Sequence, residues 1–261
     1  MSDPKNPQQK IVAIIQARMS SSRLPGKVLK EAGDRALLER MVERVQKSHL
    51  IDETWVATTV DPSDDELAAF CESHALKYFR GNLLDVLDRY YQVALHTHAD
   101  IIVRLTGDCP FIDADLIDKT ITALLENHAD FSCNRLPPPL KRTYPIGLDV
   151  EVCTFAALER TWKEAKEKHE REHVMPYLYE QEGRFKVVKI DHNQDLGELR
   201  WTVDTPQDLE FVRAVYANLD NRNDFSWLEV LKLVSAHPEL AAINSGVQHK
   251  TMFDVDERNK K

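Results

Sequence analysis

Residues 16–27, QARMSSSRLPGK, bring three cations (Arg18, Arg23 and Lys27), three serines (Ser20, Ser21 and Ser22) and a Pro25-Gly26 turn into one short stretch. Guanidinium groups can grip phosphate oxygens through paired hydrogen bonds, and a lysine adds a compact positive charge. Hydroxyls and backbone N–H groups can fill the acceptor positions that remain. Such a density of donors suits a polyphosphate. The stretch matches neither common phosphate loop, because GxxxxGK[ST] and GxGxxG are both absent. Gln16, Ala17, Arg18, Ser20, Arg23 and Lys27 are the first nucleotide-binding candidates, with a solvated basic turn as the alternative.

Two aspartates supply the opposite charge. Asp108 follows residues 101–106 (IIVRLT) through Gly107, and Asp204 closes residues 199–203 (LRWTV) ahead of Thr205-Pro206. Magnesium prefers one or two carboxylates, with substrate phosphates and water at its other positions. An aspartate before a turn commonly caps the next element. Here Asp113 and Thr205 already stand where the next helices need caps, which leaves Asp108 and Asp204 for a metal.

Further candidates lie around these. Residues 148–152 (LDVEV) alternate, so Asp149 and Glu151 share one strand face. That face could meet acceptor hydroxyls, amines or a second metal, or simply water. Arg80-Gly81 could cradle a base or form a plain turn. Residues 169–173 spell HEREH, a formal match to the H-E-x-x-H zinc helix. Its charged interior, the nearby Pro176 and the lack of a third ligand argue against a zinc peptidase. His173 and Glu172 fit acceptor binding or a subunit interface better, and Arg200 is counted with Asp149, Glu151 and His173 on the acceptor side.

All of these must be positioned by elements that the pattern makes readable. Strands are predicted at 11–15, 54–59, 77–79, 101–106, 131–134, 148–152, 185–190 and 199–203. Helices are predicted at 36–48, 64–73, 84–96, 114–127, 155–169, near 171–180, 206–218 and 225–236. Ser63 with Glu66 reads as a capping box, and Thr205-Pro206 with Asp208 as a second helix start. Strand and helix in alternation point to a mainly parallel, twisted sheet covered by helices, with ligands at the carboxyl ends of its strands. Residues 135–145 (RLPPPLKRTYP) form a stiff basic connection. They divide a nucleotide-binding lobe (11–134) from an acceptor and dimerisation lobe (135–245), within one domain flanked by tails at 1–10 and 246–261.

With 261 residues, 43% apolar and 30% charged, the composition is that of an ordinary globular chain. The net charge of −9 argues against broad nucleic-acid binding but allows a local basic pocket. Four cysteines fall in no CxxC pair, which suits a reducing cytoplasm. No apolar run approaches a membrane span or a signal peptide core.

Taken together, QARMSSSRLPGKVL, FRGNLLDVLDRYY, RLTGDCPFID, YPIGLDVEV, EHVMPYLY and RWTVDTPQDLEFV resemble the cytidylyltransferase family, in particular its branch of spore coat polysaccharide biosynthesis protein F. CMP-Kdo synthetase and CMP-acylneuraminate synthetase are more distantly similar. The resemblance spans about residues 11–215. It implies an α/β/α sandwich of the nucleotide-diphospho-sugar transferase type and a homodimer. It also implies that Arg18 and Lys27 bind the triphosphate of CTP, that Asp108 and Asp204 bind Mg2+, and that Arg80 and Thr106 lie on the cytidine side. Around TGDCP and YPIGLDVEV the chain departs from the Kdo and sialate enzymes, so their acceptors do not carry over.

The expected activity is transfer of CMP from CTP to a small acidic or sugar-like acceptor with release of pyrophosphate, in precursor synthesis for a cell-surface polysaccharide. A glycosyltransferase using a nucleotide sugar is one alternative, although TGDCP lacks a DxD motif. A non-catalytic nucleotide-binding protein is another.

Overall fold

A computed structural model describes residues 9–137 and 141–248. Residues 1–8 and 249–261 of the expected tails (1–10 and 246–261), and residues 138–140 of the basic connection, lie outside the described residues. In chain order the strands are β1 (Ile11–Gln16), β2 (Glu31–Ala32), β3 (Arg35–Ala36), β4 (Glu53–Thr59), β5 (Tyr78–Gly81), β6 (Ile101–Thr106), β7 (Phe131–Cys133), β8 (Glu151–Thr154) and β9 (Val187–Lys189). The α-helices are α1 (Leu37–Val45), α2 (Asp65–Ser73), α3 (Val86–Thr97), α4 (Ala114–Glu126), α5 (Phe155–Glu164), α6 (Lys168–His173), α7 (Pro176–Tyr179), α8 (Pro206–Asn218), α9 (Trp227–Ala236) and α10 (Pro238–Ala242).

Seven strands form one sheet in the order β5-β4-β1-β6-β8-β7-β9, while β2 and β3 make a small antiparallel hairpin. Only β8 runs against its neighbours, so the other six strands end at the same edge. Strand β1 shows why the centre is parallel and double-sided. Its Ile11, Ala13 and Ile15 enter one apolar layer, and Val12 and Ile14 enter the other. The first layer is completed by buried residues of α1, α2, α4, α8, α9 and α10, among them Leu37, Leu67, Ile117, Val212, Val230 and Leu240. The second is completed from α3, α5 and α7, through Leu87, Tyr90, Leu158 and Leu178. This is an α/β/α sandwich, and β8 carries the sheet across residues 134 and 135 by pairing with β6.

Several expected elements differ, each for a local reason. Residues 199–203 form no strand: among the described residues their one β-bridge pairs Ile146 with Arg200, too little for a ladder. At 148–150 the side chain of Asn134 replaces a ladder, donating to the Leu148 carbonyl and accepting from Val150 N–H, so β8 begins only at Glu151. The helix expected at 155–169 stops at Glu164, where Ala165 turns extended, and α6 restarts behind the capping box of Glu167 and Glu170. Ser63 and Glu66 do not form a capping box. Asp61 accepts from Ser63 N–H and starts a 3-10 turn (Pro62–Asp64) instead. The Thr205–Asp208 box is present, and Asp113 caps α4.

Candidate active site

The carboxyl end of β1 runs into the basic loop, and a buried aspartate holds that loop down. Asp64 accepts from Met19 N–H at 2.7 Å, and Gly26 N–H donates to the Met19 carbonyl at 2.8 Å. The loop ends in a 3-10 turn (Lys27–Leu29), which sends the Lys27 side chain back under it. There the ammonium donates to Asp108 Oδ2 (2.7 Å), the Val203 carbonyl (2.8 Å) and Asp204 Oδ1 (2.8 Å). Burial by itself would lower the Lys27 pKa, but the charges of Asp108 and Asp204 outweigh it and hold the group above its ordinary value.

The two acids arrive by different routes. Asp108 follows β6 directly, and its carbonyl accepts from Val203 N–H at 2.8 Å. Asp204 ends the extended segment that is pinned by Trp201 N–H on the Ile146 carbonyl at 2.7 Å. Contact is close there: a Cβ on Gly147, whose φ is +106°, would lie 2.6 Å from Thr202 N. On its outer oxygen, Oδ2, Asp204 meets Arg23 at 2.9 Å and Arg200 at 2.8 Å. Burial raises the Asp204 pKa, yet Lys27, with Arg23 and Arg200, pulls it well below the usual carboxylate range. Arg200 itself is fixed by Asp208, which also accepts from the N–H groups of Asp204 and Thr205.

Beside this cluster opens a cleft of about 150 Å³, lined by Thr106, Asp108, Cys109, Gly147, Thr202 and Asp204 and by Arg104, Arg135, Ile146, Asp149 and Glu151. In its wall Arg104 pairs with the buried Glu151 and donates to Gln16 Oε1 at 3.1 Å. Asp149 is paired with Arg142 and lies 3.8 Å from Arg135. A larger cavity of about 330 Å³ lies behind Arg200, but its lining contains neither Asp108 nor Asp204.

Of the candidates read from sequence, Lys27, Arg23, Asp108, Asp204 and Arg200 come together, and Thr106, Asp149 and Glu151 line the adjoining cleft. Gln16 touches this wall through Arg104. Ala17 contributes backbone, its N–H donating to the Ala57 carbonyl at 3.2 Å, and Ser20 lies half-buried on the loop. Arg18 sits where its charge is felt by Arg89 of α3 and does not line the cleft. Arg80 spends its guanidinium on the Thr59 and Asp61 carbonyls and on Asp65, beside the sheet edge. His173 lies outside the cleft lining, and the i, i+4 histidine pair forms no zinc face. His169 turns instead to Glu180 at 3.0 Å, with Glu170 nearby. Glu170 is itself occupied by the N–H groups of Lys166 and Glu167.

Sequence reading missed Arg104, Arg135 and Arg142 as individual residues. A charged residue inside the apolar run IIVRLT was the available signal for Arg104. Nothing local marked Thr202 or Cys109, which reach the cleft only because distant segments converge.

Lys27 Nζ marks a point surrounded by two carboxylate oxygens and a carbonyl, a hard, all-oxygen set of the kind that suits a small divalent cation. The cluster lies at the carboxyl edge of an α/β/α sheet, where open sheets of this kind bind their ligands. The profile of the cytidylyltransferase family matches residues 12–225. Spore coat polysaccharide biosynthesis protein SpsF of Bacillus subtilis is 34% identical over 238 residues, which cover 88% of this chain and 96% of that protein. The structure of a cytidylyltransferase from Leptospira borgpetersenii superposes with a TM-score of 0.85 at 32% identity, covering 93% of this chain and all of that one. A CMP-Kdo synthetase complexed with CTP shares the fold at a TM-score of 0.60 and 20% identity, covering 80% and 99% of the two chains. The chain belongs to the cytidylyltransferase family and is a nucleotidyltransferase.

Proposed function

We propose that this chain transfers CMP from CTP to a small sugar-like or acidic acceptor, with release of pyrophosphate, in the synthesis of a surface polysaccharide precursor. The polysaccharide setting is supported by similarity to the spore coat protein, and CTP by the family and by the CTP-bound structural relative. A cytoplasmic homodimer completes the proposal; no helix among the described residues is long and apolar enough to cross a membrane.

The observation that carries the reading is the meeting of Lys27, Asp108 and Asp204 at one point beside a cleft. An acceptor oxygen, its proton if it carries one passing to solvent, attacks the α-phosphorus in line, a new P–O bond forms, and the bond to the β-phosphate breaks with its electron pair going to pyrophosphate. Lys27 and Arg23 stand where they can neutralise charge growing on the phosphate oxygens. Asp108 and Asp204 are the residues that would hold Mg2+. When bound, that ion would neutralise phosphate charge and lower the pKa of an attacking hydroxyl. Arg200 and Asp208 keep the Asp204 carboxylate in place throughout. Alignment and electrostatics dominate such chemistry, so no dedicated protein base is required.

Pyrophosphate release, assayed with each of the four nucleoside triphosphates, Mg2+ and a panel of sugar acids, amino sugars and sugar phosphates, tests the proposal. CTP should be the productive donor, and Asp108→Ala should abolish turnover while leaving the fold intact. Near-normal turnover by Asp108→Ala would refute the assignment. Nucleotide binding without turnover on any acceptor would favour a binding protein.

A further inference from the structure

The oxygens around Lys27 divide into two sets. Asp204 Oδ2, on the outside, is held by Arg23 and Arg200. The inner oxygens, Asp204 Oδ1 and Asp108 Oδ2, are both covered by the Lys27 ammonium, which also takes the Val203 carbonyl. Its three N–H donors thus meet three acceptors, and Lys27 as a residue is 9% exposed. Asp108 Oδ1 receives only the weak thiol of Cys109 at 3.5 Å among the hydrogen bonds described. One ammonium therefore closes the whole inner face of the two-acid site, while Arg23 and Arg200 keep Asp204 aimed.

We propose that Lys27 is a built-in counter-ion: it fills the space between Asp108 and Asp204 until a triphosphate draws it away, so that the divalent cation enters after, or together with, the nucleotide. This rests on the reading that Asp108 and Asp204 hold that cation. A lysine head and a divalent ion cannot share oxygens at these distances, because two like charges so close in a shielded site repel strongly. The flexible four-carbon stem lets the ammonium shift while the backbone turn stays put. A triphosphate, with several negative charges beside the loop of Arg23 and Lys27, supplies the pull that a free metal ion lacks. Metal and nucleotide are then reciprocally coupled, each raising the affinity for the other.

Mn2+ is the probe, and its binding is followed by loss of the free-ion paramagnetic resonance signal without nucleotide. Wild type should bind weakly, and Mg2+ alone should leave its thermal midpoint unchanged. Lys27→Met should bind Mn2+ at least about ten-fold more tightly, and adding Asp108→Asn should remove that gain. Lys27→Gln, which keeps a donor between the acids, is the second variant should Lys27→Met fail to fold. Wild-type binding as tight as the variants', or a raised wild-type midpoint with Mg2+ alone, would overturn the counter-ion role. If CTP-saturated wild type takes up Mn2+ while the nucleotide-free variants do not, the counter-ion idea fails and the metal site stands. If Asp108→Asn and Asp204→Asn retain as much protein-bound Mn2+ as wild type with CTP present, after subtraction of the uptake by CTP alone, the metal site fails as well.

Discussion

Arg104 of β6 and Glu151 of β8 are direct cross-strand partners, joined where the parallel half of the sheet meets its reversed strand. Glu151 is 3% exposed, and burial works against the charge of Arg104, yet Glu151 outweighs it and keeps the guanidinium pKa above its ordinary value. Breaking one side of a buried pair strands a charge, whereas replacing both with apolar groups does not. Glu151→Gln should therefore cost about 3–5 kcal/mol of stability. The double variant Arg104→Met with Glu151→Leu should recover most of that loss, as read by urea unfolding.

Asp204 gives a stability signature in acid. Its pKa is depressed in the folded chain, so the unfolded chain binds more protons between the two pKa values. The stabilisation is complete above the unfolded value of about 3.9 and drains away as the pH falls towards the folded one. Asp204→Asn should lose roughly 3 kcal/mol at neutral pH, because Lys27, Arg23 and Arg200 then face an uncharged amide. Urea midpoints should show the difference between wild type and variant shrinking below about pH 4.

Gly147 should be far less replaceable than Gly183. An added Cβ at Gly147 meets Thr202 N at 2.6 Å and Trp201 C at 2.7 Å, on the segment that carries Asp204. At Gly183, with φ +77°, nothing lies within 4 Å. Gly147→Ala is expected to cost about 2–4 kcal/mol and to reduce pyrophosphate release. Gly183→Ala should cost about 1 kcal/mol through its backbone alone and leave turnover untouched.

The thiols should be inert. All four cysteines are buried, and burial pushes the thiols of Cys71 and Cys133 up to about 12 and raises those of Cys109 and Cys153 as well. A chromogenic disulfide reagent should find no fast-reacting group in the native chain and four in urea. A rapid equivalent from Cys109 would mean that the cleft opens more readily than its packing implies.

Much of this was legible in the residues because local rules and tertiary demands agreed. The apolar runs of β1 and β6, the acid after TG, and the Thr205-Pro206 start of α8 needed no distant information. Where the reading failed, a long-range partner decided. Asn134 delays β8, Ile146 leaves residues 199–203 with one bridge, and Asp61 displaces Ser63 as the cap. Arg18 and Lys27 looked equivalent within one basic loop. Only the turn after Gly26 and the return of residues 199–204 separate them, sending Lys27 to the acids while Arg18 stays outside the cleft lining.

The single reversed strand has a consequence for how such a chain can diversify. Because β7 ends and β8 begins at the same edge, the described residues on either side of the connection, Arg135 and Glu151, both face the cleft. A surface connection can change length at little entropic cost, but the ends of this one are fixed by Asn134 on Leu148 and by Gly147 against Thr202.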